Sequence, residues 1–177
     1  MLYYIYNKRS KTPSKGEHYV QKIAFDVKTL ILCAIIIVGL VLTIVGFVGN
    51  FLKADGQIAG FGGASTVKLS DLDKDFEGFT VTNIFAWVTF ILAIVVTVLF
   101  AVAKFIGIKD LNMIVALVGC LTVVAAVLVF IFAIVMASKN SGGNALASVK
   151  YTISAGPILM LIGGLLAGGA AAASGKV

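Results

Sequence analysis

Residues 113–137, MIVALVGCLTVVAAVLVFIFAIVMA, form a run of 25 residues without a single charge. A helix that crosses the roughly 30 Å hydrocarbon core of a bilayer needs about 20 apolar residues. The run does not alternate between polar and apolar side chains, as a strand of an outer-membrane barrel would. It therefore predicts a transmembrane helix.

The charged residues leave three further gaps of this kind. Uncharged runs of 24, 26 and 25 residues follow Lys28, Glu77 and Lys150. Apolar residues make up 60% of the chain and charged residues 12%, a balance that a soluble domain of this size does not show. We predict an all-α integral membrane protein, a tetraspan four-helix bundle. Its spans are placed at Thr29–Gly49, Asn83–Ala103, Met113–Ala137 and Thr152–Ala173.

The first 28 residues are predicted to be a basic cytosolic tail that ends in an amphipathic helix on the membrane surface. Ser14 and Glu17 have the spacing of a helix capping box, and apolar residues recur at helical intervals from Val20 to Val27. A cytosolic extension of the first span is the alternative. Residues 174–177 are predicted to be a short cytosolic C-terminus. The basic residues expected to contact anionic lipid headgroups are Lys8, Arg9, Lys11, Lys15 and Lys22.

Residues 50–82 are predicted to form an outer loop. The segment GQIAGFGGAS (56–65) is too short and glycine-rich to span, so we expect an exposed turn or a shallow re-entrant segment. Next, Ser70 is expected to cap a short amphipathic surface helix that Gly78 ends. The apolar residues expected at the outer membrane surface are Leu69, Leu72, Phe76, Phe79 and, at the start of the second span, Trp87. Residues 104–112 are expected to form a basic turn, and residues 138–150 a polar linker.

The distribution of basic residues predicts the orientation in the membrane. With both termini in the cytosol, nine basic residues lie inside and five lie outside, which the positive-inside rule favours. Lysine outnumbers arginine thirteen to one, which points to an AT-rich genome. With no cysteine in either outer loop, these observations favour a bacterial cytoplasmic membrane and an N-in, C-in topology.

The sequence carries almost no residues for acid–base or metal chemistry. No charged residue falls inside a predicted span, although proton-coupled transport usually needs one there. His18 is the only histidine, and the Asp71, Asp73 and Asp75 spacing lacks the glycine and glutamate of a calcium loop. We therefore expect no enzymatic activity, no metal and no cofactor. A nucleic-acid role is not expected either, because the chain has one arginine and no folded domain to present a basic patch.

The two cysteines, Cys33 and Cys120, both lie in predicted spans and are interpreted as small buried apolar residues. Claudins, tetraspanins and connexins also have four spans, but their outer loops carry cysteines that form disulfides. This chain has no such cysteines, so the sequence assigns it to none of these families.

Small residues recur on one face of three spans, and this pattern indicates where helices pack closely. Small residues let helix backbones approach closely in lipid, where no hydrophobic force drives helices together. The stripes serve either packing within the bundle or contact with another subunit, and the run GGLLAGGAAAASG (163–175) favours the second. The residues are Gly39 and Gly46 in the first span, Thr89, Ala93, Thr97 and Ala101 in the second, and Gly156, Gly164, Gly168 and Ala172 in the fourth.

Three functions are compatible with these observations. The first is a non-enzymatic structural or accessory subunit that packs in a larger membrane complex, with the bilayer and other membrane subunits as partners. The second is a homo-oligomeric pore or channel. The third is a small membrane receptor or immunity-type protein whose outer loop binds a ligand.

Overall fold

The structure, a computed structural model, describes residues 27–58, 61–108, 110–144 and 147–174. Within these residues, four helices are long and apolar enough to cross a membrane. They are α1 (Val27–Val48), α2 (Phe79–Phe105), α3 (Leu111–Asn140) and α4 (Ala155–Ser174). The shortest, α4, has 20 residues and is therefore about 30 Å long. The chain has the architecture of a multi-pass membrane protein, as the spacing of its charges predicts.

Four strands in the described part of the chain form one antiparallel sheet at one end of the bundle. They are β1 (Asn50–Ile58), β2 (Phe61–Lys68), β3 (Gly142–Gly143) and β4 (Ala147–Ile153). Their order across the sheet is β2-β1-β4-β3, so the segment that joins α1 to α2 and the segment that joins α3 to α4 combine into a single element. The prediction of an all-α fold is wrong in this respect.

The sheet also corrects the expectations for the individual loop segments. The segment 56–65 was expected to be a turn or a re-entrant segment, but its described residues, 56–58 and 61–65, belong to the paired strands β1 and β2. The described residues of 138–150 include the end of α3, the whole of β3 and the start of β4 rather than a linker. The fourth helix starts at Ala155, since the predicted first residues of that span, Thr152 and Ile153, pair with β1.

The expected surface helix over residues 70–79 is not present. Only Leu69–Asp71 form a single 3₁₀ turn, and the Ser70 hydroxyl donates to Asp71 at 2.9 Å instead of capping a helix. Gly78 has φ +86° and precedes α2, so it begins a helix rather than ending one. The physical reason is that Leu69 and Leu72 are drawn into the core between the sheet and the bundle.

The helix α4 packs between α1 and α3, and α2 packs mainly against α3. Two apolar clusters fill the bundle. The cluster at the sheet end joins residues of the sheet and of the helices, among them Phe51, Leu52, Met136 and Met160. The cluster at the opposite end is formed by helices alone, with Ile36, Val96, Phe100 and Val115 at its centre.

Candidate functional site

The sheet has two faces of opposite character, which follow from the strand register. Residues directly opposite each other in neighbouring strands point to the same side. One side, called the apolar face, carries mostly apolar residues: Leu52, Ala54, Gly56 and Ile58 of β1, Phe61, Gly63, Ser65 and Val67 of β2, and Ala147, Val149, Tyr151 and Ile153 of β4. The other side, the lysine face, carries Lys53, Asp55, Lys68 and Lys150.

The half of the apolar face next to the helices is covered by the chain itself. Leu52 is fully buried, and Val67 and Ile153 pack against the cluster at the sheet end. Tyr151 meets Phe76 edge-on, with ring centroids 5.0 Å apart. This half of the face fastens the sheet to the bundle.

Two polar side chains near the end of α3 add to that attachment. The Asn140 side chain accepts from the Glu77 backbone N–H at 3.1 Å and donates to the Glu77 carbonyl at 2.9 Å. The Ser141 hydroxyl accepts from the Tyr151 N–H at 2.8 Å, which ties β4 to the helix. Lys139 also pairs with Glu77 in an exposed salt bridge. The half of the sheet next to the helices is therefore held in place by hydrogen bonds and a salt bridge as well as by apolar packing.

The other half of the apolar face, farther along the strands, has no cover within the described residues. It forms an open groove of about 550 Å³, here called the distal groove, which is lined by residues that include Gly56, Ile58, Phe61, Gly63, Gly142 and Val149. Phe61 is 86% exposed and Ile58 69% exposed. Single exposed apolar side chains are common on protein surfaces, but a contiguous exposed apolar patch marks an interaction site.

Glycines make the floor of the distal groove. Gly56 of β1 lies directly opposite Gly63 of β2. A side-chain carbon on Gly63 would meet no atom within 4 Å, so the space above it is open. The floor is therefore bare backbone, and the bulky side chains stand beside it.

The lysine face differs from the distal groove in charge. Lys53 pairs with Asp55 at 3.1 Å, and Lys150 lies opposite Asp55 in the register, so the face retains an excess of positive charge. By contrast, the apolar face carries no charged side chain on β1, β2 or β4. The two sides of one sheet thus offer a charged surface and an uncharged one.

The small residues predicted to pack helices lie against other helices of the same chain. On α4, Gly156 faces the Gly46 carbonyl of α1, whereas Gly168 faces the Gly119 carbonyl of α3. A side chain on Gly39 would lie 2.5 Å from the backbone nitrogen of Ala167. Gly164 lies against Ala126, and Ala172 against Gly119. The glycine face of α4 is consequently occupied by α1 and α3 and is not open to a partner.

On α2, Thr89 and Ala93 are buried, whereas Thr97 and Ala101 are half-buried.

The residues predicted to lie at the membrane surface divide into three groups. Trp87 is 48% exposed and contacts Phe47 edge-on at 4.7 Å. Phe76 and Phe79 pack instead against the cluster between the sheet and the bundle. Lys8, Arg9, Lys11, Lys15 and Lys22, together with the predicted tail helix up to residue 26, lie outside the described residues.

Four threonine hydroxyls of the helices form hydrogen bonds within their own helix. The hydroxyls of Thr43, Thr89, Thr97 and Thr122 each donate to the carbonyl oxygen four residues earlier, at 2.7–2.9 Å. Across the described residues, no three histidine, cysteine, aspartate or glutamate side chains gather where they could hold a metal ion. Cys33 and Cys120 are free thiols; Cys33 is half-buried and Cys120 is exposed, so the interpretation of both as buried residues is wrong.

One strand of the sheet, β4, was detectable in the sequence, although it borders an apolar run that predicts a span. Val149, Tyr151 and Ile153 alternate with polar residues, which is the pattern of a half-buried strand. Because the predicted fourth span begins at Thr152, it includes the last two residues of this strand. The glycine floor had no local signal, because its two glycines become neighbours only when β1 pairs with β2.

Comparison with known proteins adds no assignment. No protein family matches the sequence, and no curated protein is significantly similar to it.

Proposed function

We propose that the protein is a non-enzymatic structural or accessory subunit of a membrane assembly, and that it binds its protein partner through the distal groove of the sheet. The observation that supports this proposal is the division of the apolar face. One half is covered by the chain itself, while the other half leaves Ile58, Phe61 and Val149 exposed. Burial of such side chains drives most protein–protein association.

The shape of the distal groove favours a protein over a small molecule. Small-molecule sites usually enclose most of their ligand's surface. The distal groove has a floor of two strands and no roof among the described residues, so it suits a side chain or a loop that projects from another protein. A pore receives less support, since the threonine hydroxyls of the helices are donated within their own helices.

The same proposal places the sheet outside the cell. The bias of nine basic residues against five supports an N-in, C-in topology, and the codon argument supports a bacterial plasma membrane. In this orientation the sheet and the distal groove face the exterior, where partners in the same membrane can reach them.

The proposal is tested by the mass of the particle after brief cross-linking of native membranes with a lysine-reactive reagent. We expect the wild-type chain in a particle heavier than one 18.5 kDa chain. Val149→Glu places a charge in the groove and should release the single chain, because a buried unpaired charge is costly. Thr66→Glu is the matched control, since Thr66 lies opposite Lys53 on the lysine face and does not line the groove. A wild-type particle that contains one chain alone would overturn the proposal.

A further inference from the structure

We infer that the partner that covers the distal groove is a second copy of this chain, with Phe61 of each copy seated on the Gly56–Gly63 floor of the other. This inference rests on the proposed function, namely that the groove binds a protein. It is argued from the shape, the charge and the area of the groove.

The shape of the groove is complementary to itself. Phe61 projects with 86% of its surface exposed, and Gly63 lies two residues along the same strand on the same face. Gly63 has open space above it, so the groove pairs a projecting ring with a hollow that lacks side chains. Two copies related by a two-fold axis bring the same patch together, so each ring meets the other copy's hollow.

The charges select the same face. In a symmetric dimer every charge meets its own copy's charges, and like charges in contact oppose association. The lysine face would bring Lys53, Lys68 and Lys150 against their counterparts. The apolar face carries no charged side chain on β1, β2 or β4, so it is the side of the sheet that can meet itself without repulsion.

The area of the groove sets the strength of the contact. Each copy would bury on the order of 400 Å² with Phe61, Ile58 and Val149, about half of the area per partner in a stable soluble complex. Such a contact is weak between freely diffusing proteins. Two copies anchored in one bilayer, however, are confined with their grooves at the same height, which raises their effective concentration. We therefore expect the dimer to form in the membrane and to dissociate on dilution in detergent.

The experiment uses the full chain in its native membrane, with Cys33 and Cys120 replaced by alanine and a benzophenone maleimide attached to a single introduced cysteine. Gly63→Cys places the probe in the groove, and Gly62→Cys places it on the same strand but on the lysine face. Both glycines have extended backbone and room for a side chain. Co-expression of the chain with two tags of different size identifies a self-adduct.

Illumination should give an adduct of twice 18.5 kDa that contains both tags from Gly63→Cys, with little from Gly62→Cys. Adding Val149→Glu should lower its yield about tenfold, while Thr66→Glu, on the lysine face, should leave the yield unchanged. An adduct with a different protein would overturn the second-copy inference and leave the proposed function standing. Lipid adducts alone would overturn both, and equal self-adducts from the two positions would reduce the dimer to random collision and overturn the inference.

Discussion

Gly119 and Gly168 lie in direct backbone contact where α3 crosses α4. A side-chain carbon on Gly168 would lie 2.5 Å from the carbonyl oxygen of Gly119, and one on Gly119 would lie 2.6 Å from the carbonyl oxygen of Gly168. Neither position has room for even a methyl group, and the obstacle is backbone, which cannot rotate away. The contact therefore constrains how α3 and α4 pack, and it places the glycine face of α4 inside the molecule.

Gly168→Leu should destabilise the folded chain itself. The added side chain would have to push α3 and α4 apart, and overpacking of this kind costs about 1–3 kcal/mol. Thermal unfolding in detergent measures the loss. Gly169→Leu is the matched control, because a side chain at Gly169 would meet nothing within 4 Å and should leave the melting temperature nearly unchanged. Equal melting temperatures for the two variants would contradict the packing described for α4.

Asn140→Ala should loosen the segment that precedes α2. The Asn140 side chain supplies the acceptor for the Glu77 N–H and a donor for the Glu77 carbonyl, and a typical hydrogen bond contributes about 0.5–1.5 kcal/mol to stability. We expect faster hydrogen exchange at the Glu77 amide. Lys139→Ala removes only the half-exposed ion pair with Glu77 and should change the exchange rate little. A larger effect of Lys139→Ala than of Asn140→Ala would reverse this ranking.

Phe76→Asp should expose the outer segment to proteases without preventing membrane insertion. Phe76 packs against Tyr151 and the cluster beneath the sheet, so a carboxylate there would be driven out into water. Limited proteolysis of membrane vesicles should cut residues 69–78 faster than in the wild type. Asp75→Asn, at the exposed neighbouring position, should be cut at the wild-type rate. If both variants resist protease equally, Phe76 does not hold this segment.

The orientation can be read from thiol labelling in intact cells. After replacement of the native cysteines, Ser65→Cys and Ser148→Cys should react with an impermeant maleimide, because both residues are exposed on the sheet. Ser10→Cys should react only after the cells are opened. Labelling of Ser10→Cys alone in intact cells would mean that the molecule is inverted.

The spans were predictable from local sequence, whereas their outer ends were not. The uncharged run after Asp110 located α3, because a bilayer core excludes charge wherever the chain crosses it. The start of α4 was misplaced by three residues. Thr152 and Ile153 are apolar enough to continue a span, but they form backbone hydrogen bonds with β1 instead.

The sequence by itself determined the number and approximate positions of the predicted spans, because the requirement for about 20 uncharged residues is local and severe. Only the tertiary structure decided what the outer segments become. Leu52 pairs with Ile153 across about a hundred residues of sequence, and no local preference specifies which strands meet over such a distance. The tertiary structure also decided that Gly119 and Gly168 lie opposite each other. Glycine permits close approach on any side of a helix, and the rotation of each helix against its neighbours selects the backbone that approaches.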